Sequence, residues 1–588
     1  MSSQSSDRGT FVQPGPSPRM NVLAGSSLER EFAGFTYPRL LRSQVDARAT
    51  QLAIVTPSRA LTWQALDAEV TVLAAALQKL GVKPDDKVAI LASNSCDWIA
   101  WFHAAAGIGA VVVPVNTRFR KDELAYQLKA SDTRVLVMQG KLGETDFLAM
   151  LLELVPELRT AAPGAWTSAT FPLLRHVVCL EVPFVEASGV WSATDICIAA
   201  APVAVAAVRA AQDAVRPDDS AMIQYTSGTT AFPKGVVLSH YSTARNAYHV
   251  NQRLRINADD RIFSPGPFFH VGGSTLGLLL GLLAGATIYA LSRFDPEEVL
   301  KLVRREKITI YNGVDSLFIT LYKHPAFHID ALASVRTGWI ASSPEIVRMV
   351  QHDMGLFGIV NVFGISEAAP NITICDIDDS IDLRADTCGY PHTGCEVKVV
   401  DPASGLSVPA GEPGEILFRG YSLMRGYYNN PVETANAIDA EGWLHTGDLG
   451  VLRSTGELEY KGRLKEMLRV GGENIAPAEI EEVLSQHPKV RQVAVVGIPD
   501  DRLIEVAAAV LELKPGETCT AEEIVAFCKA RLASYKVPRA VAFVESLPMT
   551  GSGKIQKFRL VQDVFNLGVT TPGEVASNGT QDGSAKNA

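Results

Sequence analysis

No Cys-x-x-Cys pair occurs in this chain. Its eight cysteines (Cys96, Cys179, Cys197, Cys375, Cys388, Cys395, Cys519 and Cys528) are scattered, which fits neither a disulfide framework nor a zinc site and makes a reducing cytoplasm the default location. Positive charge is also in deficit, with 54 Lys and Arg against 64 Asp and Glu and a formal net charge of -10. Nucleic acids and anionic membranes reward basic surfaces, so neither is an expected partner. An anionic ligand must instead be held by a local device. Residues 1–28 are rich in Ser, Gly and Pro and lack the apolar core of about 7–15 residues that a signal peptide needs. They read as a disordered leader, and residues 563–588, rich in Gly, Ser, Asn and Asp, as a frayed tail.

Long uncharged runs are few, and the one that stands out is Val271 to Leu291. Its length makes a membrane span conceivable. Against that, no basic cluster flanks it, and Gly285-Ala-Thr-Ile-Tyr-Ala-Leu291 breaks it into a helix followed by a strand. The expectation is therefore a buried helix and no transmembrane segment. Gly273, Gly277, Gly281 and Gly285 recur at every fourth place, which predicts close approach of that helix to neighbouring backbone.

What the chain does contain is regular alternation. Thr62 to Gly81 is amphipathic, Lys87 to Ala92 reads as a buried strand, Trp98 to Gly107 as an apolar helix and Ala110 to Val115 as another strand. Strands alternating with helices predict a parallel, doubly wound sheet. Ligands of such sheets collect outside the carboxyl ends of the strands. One such end, after Ala221 to Tyr225, carries the densest chemistry in the sequence: Thr226, Ser227, Gly228, Thr229 and Thr230, then Pro233, Lys234 and Gly235. Short hydroxyls, a glycine and a lysine in one loop form a phosphate grip. A Ser/Thr-rich surface loop is the plain alternative. It is not a Walker loop, because Pro233 stands where that motif has its second glycine and Lys234 is followed by Gly235.

These residues resemble the phosphate loop of the adenylate-forming superfamily: acyl-CoA synthetases, adenylation domains of peptide synthetases and beetle luciferases. Ala231, where that family usually has glycine, is a departure at the loop tip. Further stretches fall in the family's order. Pro267-Phe-Phe-His-Val-Gly-Gly273 resembles the start of an acyl-binding wall; a lone histidine such as His270 is more often a satisfied structural residue than a catalyst. Arg336-Thr-Gly-Trp-Ile-Ala-Ser-Ser-Pro344 resembles the segment that borders adenine and acyl group, with Trp339, Ser342 and Ser343 as departures. In Val362-Phe-Gly-Ile-Ser-Glu367, the resemblance implies Phe363 and Gly364 against adenine, Ser366 at phosphate and Glu367 as a magnesium ligand. Gly442 to Leu449 places Asp448 in a Thr-Gly-Asp turn, where its carboxylate would accept both ribose hydroxyls; a solvated turn aspartate is the alternative. Arg463 would lie near ribose and phosphate, Lys465 at a hinge, Gly471 and Gly472 at the site in the second half-reaction, and Lys554 at the carboxylate attacking phosphorus.

The resemblance implies an α/β fold: a large N-terminal domain of layered mixed sheets and helices over 29–464, and a small α+β lid over 465–562. It implies ATP, Mg2+ and coenzyme A as cofactors and a carboxylic acid as substrate, with a homodimer possible. The catalytic set is Lys554, Thr226, Glu367 and Lys465. The acyl wall is Phe268, Phe269, His270, Val271, Gly272, Gly273, Val314, Trp339 and Ile340. It carries no fixed charge, so the acid's tail is expected to be apolar, and the indole of Trp339 shortens the room along it. A stand-alone adenylation enzyme that loads a carrier protein is the competing expectation.

Overall fold

The computed structural model describes residues 32, 34–181, 188–226, 233–470, 473–475, 477–500, 504–532, 534–549 and 555–565. The leader over 1–28 and most of the tail over 563–588 lie outside the described residues. So do Ser227, Gly228, Thr229, Thr230, Gly471, Gly472 and Lys554. Internal contacts divide the chain into two units, Met1–Tyr460 and Lys461–Ala588.

The first unit is built around a seven-stranded sheet. Its order is Lys234–Ser239, Ser220–Thr226, Val111–Pro114, Lys87–Leu91, Thr133–Met138, His176–Cys179 and Trp191–Ser192. The strands are short and rich in β-branched residues, and both faces are covered. Val88, Ile90, Val112, Val135 and Val137 enter one core, while Ala89, Leu91, Val111, Val113 and Leu136 enter the other. That is the period-two alternation of a strand read on two buried faces. Helices Trp63–Lys79 and Cys96–Gly107 cover the sheet, each started by a hydroxyl cap: Thr62 Oγ1 accepts from Ala65 N at 3.2 Å, and Ser95 Oγ from Trp98 N at 3.1 Å.

The expectation of a parallel sheet needs one correction. Six strands are parallel along the ladder, but the edge strand Lys234–Ser239 runs antiparallel to Ser220–Thr226. The physical reason is chain length: seven residues separate the two strands, enough for a hairpin but not for the crossover a parallel pair requires. The phosphate loop is thus the tip of a hairpin, and the pairing sets Thr226 opposite Lys234.

A second sheet carries most of the remaining candidates. It runs Gly313–Val314, Gly338–Ala341, Ile359–Gly364, Asn371–Ile374 and Tyr390–Pro391, the first three parallel. A third, of five strands, includes Arg261–Phe263 and Thr287–Tyr289. The apolar run 271–291 is, as expected, helix then strand: Val271–Gly273, a π-helical stretch Ser274–Leu279, Leu280–Ala284, and the strand Thr287–Tyr289. Its glycine row does mark close approach. A Cβ at Gly273 would stand 2.2 Å from the Pro267 carbonyl, and one at Gly281 2.4 Å from Ile288. Among the described residues no single helix is long and apolar enough to cross a membrane; one pair bent by 101°, Ala193–Ala200 and Val205–Ala214, passes by length and composition together.

The second unit is a sheet of strands Glu473–Ile475, Leu468–Val470, Ile504–Leu513 and Val490–Asp500, with Ala540–Phe543 pairing the third of these. Helices Pro477–Ser485 and Ala521–Lys529 pack on it, and Ile480, Leu484, Ile524 and Leu511 fill its core.

Candidate active site

The hairpin end is where charge gathers. Thr226 Oγ1 donates to the Lys234 carbonyl at 3.4 Å, and Tyr126 OH to the Pro233 carbonyl at 2.9 Å, so both shoulders of the loop are tied down. The segment 425–428 lies along the outer edge of Lys234–Ser239, with Tyr428 N donating to Gly235 O at 2.7 Å and Val237 N to Gly426 O at 3.0 Å. This pairing delivers Tyr427. Its ring lies 4.5 Å under Lys234 Nζ, and its hydroxyl donates to Glu367 Oε1 at 2.8 Å. Lys234 Nζ also reaches Glu433 Oε2 at 2.9 Å. Burial, and then the neighbouring Glu367, push the Tyr427 phenol far above its ordinary range, which keeps it a proton donor. One tyrosine therefore touches both the cation and the carboxylate assigned to triphosphate and metal. Tyr427 also lines a surface hollow of about 600 Å³ with Val237, Tyr428, Pro431, Thr434 and Ile438.

Phe363 and Gly364 end the strand Ile359–Gly364, and Ser366 and Glu367 form the short turn after it. Gly364 has no room for a side chain: a Cβ would stand 2.1 Å from the Pro370 carbonyl. The Phe363 ring stacks on Tyr460, centroids 5.4 Å apart and planes at 27°. Asn361, on the same strand, clasps the neighbouring segment by accepting from Ser342 N at 3.2 Å and donating to Ser342 O at 3.1 Å. Ser342 Oγ is buried without a hydrogen-bond partner among the described residues. Ser343 is exposed at the start of helix Pro344–His352.

Asp448 calls for a second correction. It does not occupy a turn between elements but lies inside the strand Leu444–Leu452, at 3 % exposure. There the pairing with Pro413–Gly420 slips: Glu415 faces Leu449 while Leu417 faces His445, leaving 446–448 as a bulge. Gly447 takes φ +68° in it, and Asp448 N donates to Thr446 Oγ1 at 3.1 Å. The bulge re-aims a carboxylate that a regular strand would have directed by its pleat. Burial disposes of the solvated-turn alternative.

The apolar wall begins at Phe268 and Phe269, both buried, and is fastened to the hairpin because Gln224 Nε2 donates to the Phe269 carbonyl at 3.0 Å. His270 is exposed and caps the following turn, its Nδ1 accepting from Gly272 N at 3.2 Å. Val271 is buried, and Gly272 is close to the Trp339 ring, 3.8 Å from a built Cβ to the indole edge. Ile340 departs from the expected wall. Trp339 and Ile340 are successive residues of one strand and point to opposite faces, Trp339 into the core that holds Phe268 and Val271 and Ile340 into the one around Tyr311 and Phe318. Both cannot line one pocket.

In the second unit Arg463 ends a strand that begins at Leu458, and Lys465 lies on the turn Leu464–Glu466. Glu466 and Glu481 both pair with Lys557 Nζ, at 3.1 and 2.8 Å, anchoring the far side of that turn to the small core. Tyr427, Glu433, Tyr460 and Asn361 were not among the sequence candidates. The only signal was weak: Gly426-Tyr-Tyr-Asn-Asn-Pro431 is a turn-rich aromatic stretch.

Residues 41–428 match the family model described as AMP-binding enzyme, and residues 479–554 match the AMP-binding enzyme C-terminal domain. The chain is 40% identical over 542 residues to the putative acyl-CoA synthetase YngI of Bacillus subtilis, covering 90% of this chain and 98% of that protein. It is 34% identical over 511 residues to the mitochondrial medium-chain acyl-CoA ligase ACSF2 of Bos taurus, covering 85% and 82%. Among solved structures, the anthranilate CoA ligase AuaEII in complex with anthranoyl-AMP superposes with a TM-score of 0.79 at 28% identity, covering 90% and 97%. With two matched regions that together span both units, the chain belongs to the AMP-binding enzyme family, the adenylate-forming enzymes, whose substrates include ATP.

Proposed function

We propose that this protein is an ATP-dependent acid–thiol ligase that activates an apolar carboxylic acid as acyl-AMP and transfers the acyl group to coenzyme A. In the first step a carboxylate oxygen attacks the α-phosphorus of ATP and pyrophosphate leaves. In the second the CoA thiol attacks the acyl carbon, a C–S bond forms, and AMP departs with the former carboxylate oxygen. The protein's work is positioning and charge stabilisation. In this reading Thr226 and Lys234, with the loop residues Ser227 to Thr230, hold the triphosphate. Phe363 faces adenine, Asp448 takes the ribose hydroxyls, and Ser366 reaches phosphate. Arg463 lies near ribose and phosphate, Lys554 neutralises charge as the carboxylate attacks, Lys465 is the hinge, and Gly471 and Gly472 belong to the rearranging half. The functional boundary is set at 464/465, supported by the division of contacts between Tyr460 and Lys461.

Glu367 suits Mg2+, a hard cation that takes one or two carboxylates together with substrate phosphates. Such an ion, when bound, would offset charge on the phosphate oxygens. Among the described residues no cluster of three or more metal-binding side chains exists. The observation that carries the reading is the Lys234–Tyr427–Glu367 constellation, gathered at a hairpin whose Gln224 also grips the apolar wall. The uncharged wall and the medium-chain name of the ACSF2 relatives support an acid of short to medium length or a compact ring. Pyrophosphate exchange into ATP, run on a panel of acids, is expected to select apolar acids of that size. Release of product is expected to require CoA. Exchange with no acid, or release to a carrier protein and not to CoA, would overturn the reading.

A further inference from the structure

Resting on the ligase reading, we infer that Asn312 is a specificity-determining positioning residue: together with the Leu276 carbonyl it fixes the Trp339 indole as a rigid end stop for the acyl chain. Trp339 is 7 % exposed and Asn312 fully buried. Asn312 Oδ1 accepts from the backbone N–H of Trp339 at 3.1 Å. Its amide group donates to Ser264 Oγ at 3.0 Å and to Leu276 O at 3.3 Å. The same Leu276 carbonyl accepts from Trp339 Nε1 at 3.1 Å. One side chain and one carbonyl thus hold both the backbone and the ring of the tryptophan.

Leu276 lies in the π-helical stretch Ser274–Leu279, and a turn of that kind is a local departure from the α ladder, often found at functional sites. The strand cannot yield either. Gly338, just before Trp339, abuts the Tyr311 backbone so closely that a Cβ would stand 1.8 Å from its carbonyl oxygen. Swinging the indole aside would strand a buried N–H and remove a partner from Leu276 O, which lowers the population of the swung form roughly tenfold or more. A tryptophan held this way is a wall and not a gate. Its signature is an abrupt fall in the acyl-chain profile, whereas a mobile ring gives a gradual one.

Two full-length variants test this. Asn312→Ala removes the clamp and keeps the indole; Trp339→Phe keeps a ring and removes the ring N–H, and stands in if the first does not fold. Pyrophosphate exchange is measured on straight-chain acids of increasing length, each profile normalised to its own best acid. Beyond the wild-type optimum, both variants are expected to recover up to about fourfold in kcat/KM for each added methylene, and Asn312→Ala to keep the wild-type KM for ATP. Independently of activity, hydrogen exchange of the Trp339 indole N–H, assigned by its loss in Trp339→Phe, is expected to be at least tenfold faster in Asn312→Ala than in the wild type. Superimposable normalised profiles would overturn the specificity role, and equal indole exchange rates would overturn the clamp. Exchange with no acid at all would overturn the ligase reading and the specificity role with it, while the indole measurement still decides the clamp.

Discussion

The two ends of the site are held by different physics. Around Trp339 every tie is a neutral hydrogen bond in a dry interior, to Asn312 and to a carbonyl. Around Lys234 the ties are charges: an ion pair with Glu433 whose side chains are 23% and 38% exposed, a cation–π contact, and a phenol on a carboxylate. Neutral buried bonds are costly to break and persist. Half-exposed ion pairs are worth little and exchange readily for a better partner. On the proposed reading, a shape that discriminates is set in the first way, and groups that change partners when a triphosphate arrives are set in the second.

The contrast can be broken most violently at Glu367. Glu367→Gln keeps the Tyr427 contact but removes the charge, and it should cut pyrophosphate exchange by a factor on the order of 100–1,000, about 3–4 kcal/mol by analogy with other transition-state charge stabilisers. An exchange rate within tenfold of the wild type would remove Glu367 from the chemistry.

The dry interior has its own sensitivity, to acid. His240 and His249 are buried, and desolvation holds both down to about 3. Above the unfolded value near 6.5 both states are neutral and pH does nothing. Below it the unfolded chain takes up protons that the folded chain refuses, so stability falls with pH until the folded value is reached. At pH 5 that is about 2 kcal/mol for each histidine. Thermal melts between pH 7.5 and 5 should show the decline, and His249→Gln should make it shallower without abolishing it, because His240 remains. A melting temperature that is level across this range would contradict the burial of these rings as neutral groups.

Trp339→Ala is smaller in effect: the chain-length optimum should move upward, with about 0.8 kcal/mol, near fourfold, for each methylene that enters the vacated space. An unchanged optimum, read by kcat/KM over a homologous series, would detach the indole from pocket depth. The mildest change is Glu433→Gln. Freeing Lys234 from its competitor should lower the KM for ATP by at most about fivefold at low salt, and less as salt screens the pair. A raised KM would mean that Glu433 positions Lys234 and does not compete for it.

Much of this contrast was legible in the residues, and the failures are instructive. The buried strands declared themselves because Val, Ile and Ala runs such as Ala110 to Val115 suit little else, and the glycine row 273–281 foretold tight packing. The hairpin's Thr226 and Lys234 could be named from local pattern, whereas Phe363 and Glu367 were named only through the family resemblance. What local pattern cannot carry is pairing between distant segments. Tyr427 matters only because 425–428 lies beside 234–239, and Asn312 only because three segments meet at it. Ile340 went astray through the pleat, which assigns neighbours in a strand to opposite faces. Asp448 went astray because a bulge inside a strand has the same Thr-Gly-Asp spelling as a turn. The π stretch gave no sign at all, since a uniformly apolar run has no period to read.

The hairpin that sets Thr226 across from Lys234 also acts as a pair of calipers. The ladder below fixes the span between its two points, whatever lies between them. The seven intervening residues therefore bridge an opening whose ends are set by the strand pairing. On the proposed reading, tuning grip on the triphosphate and preserving the frame that delivers it become separate problems.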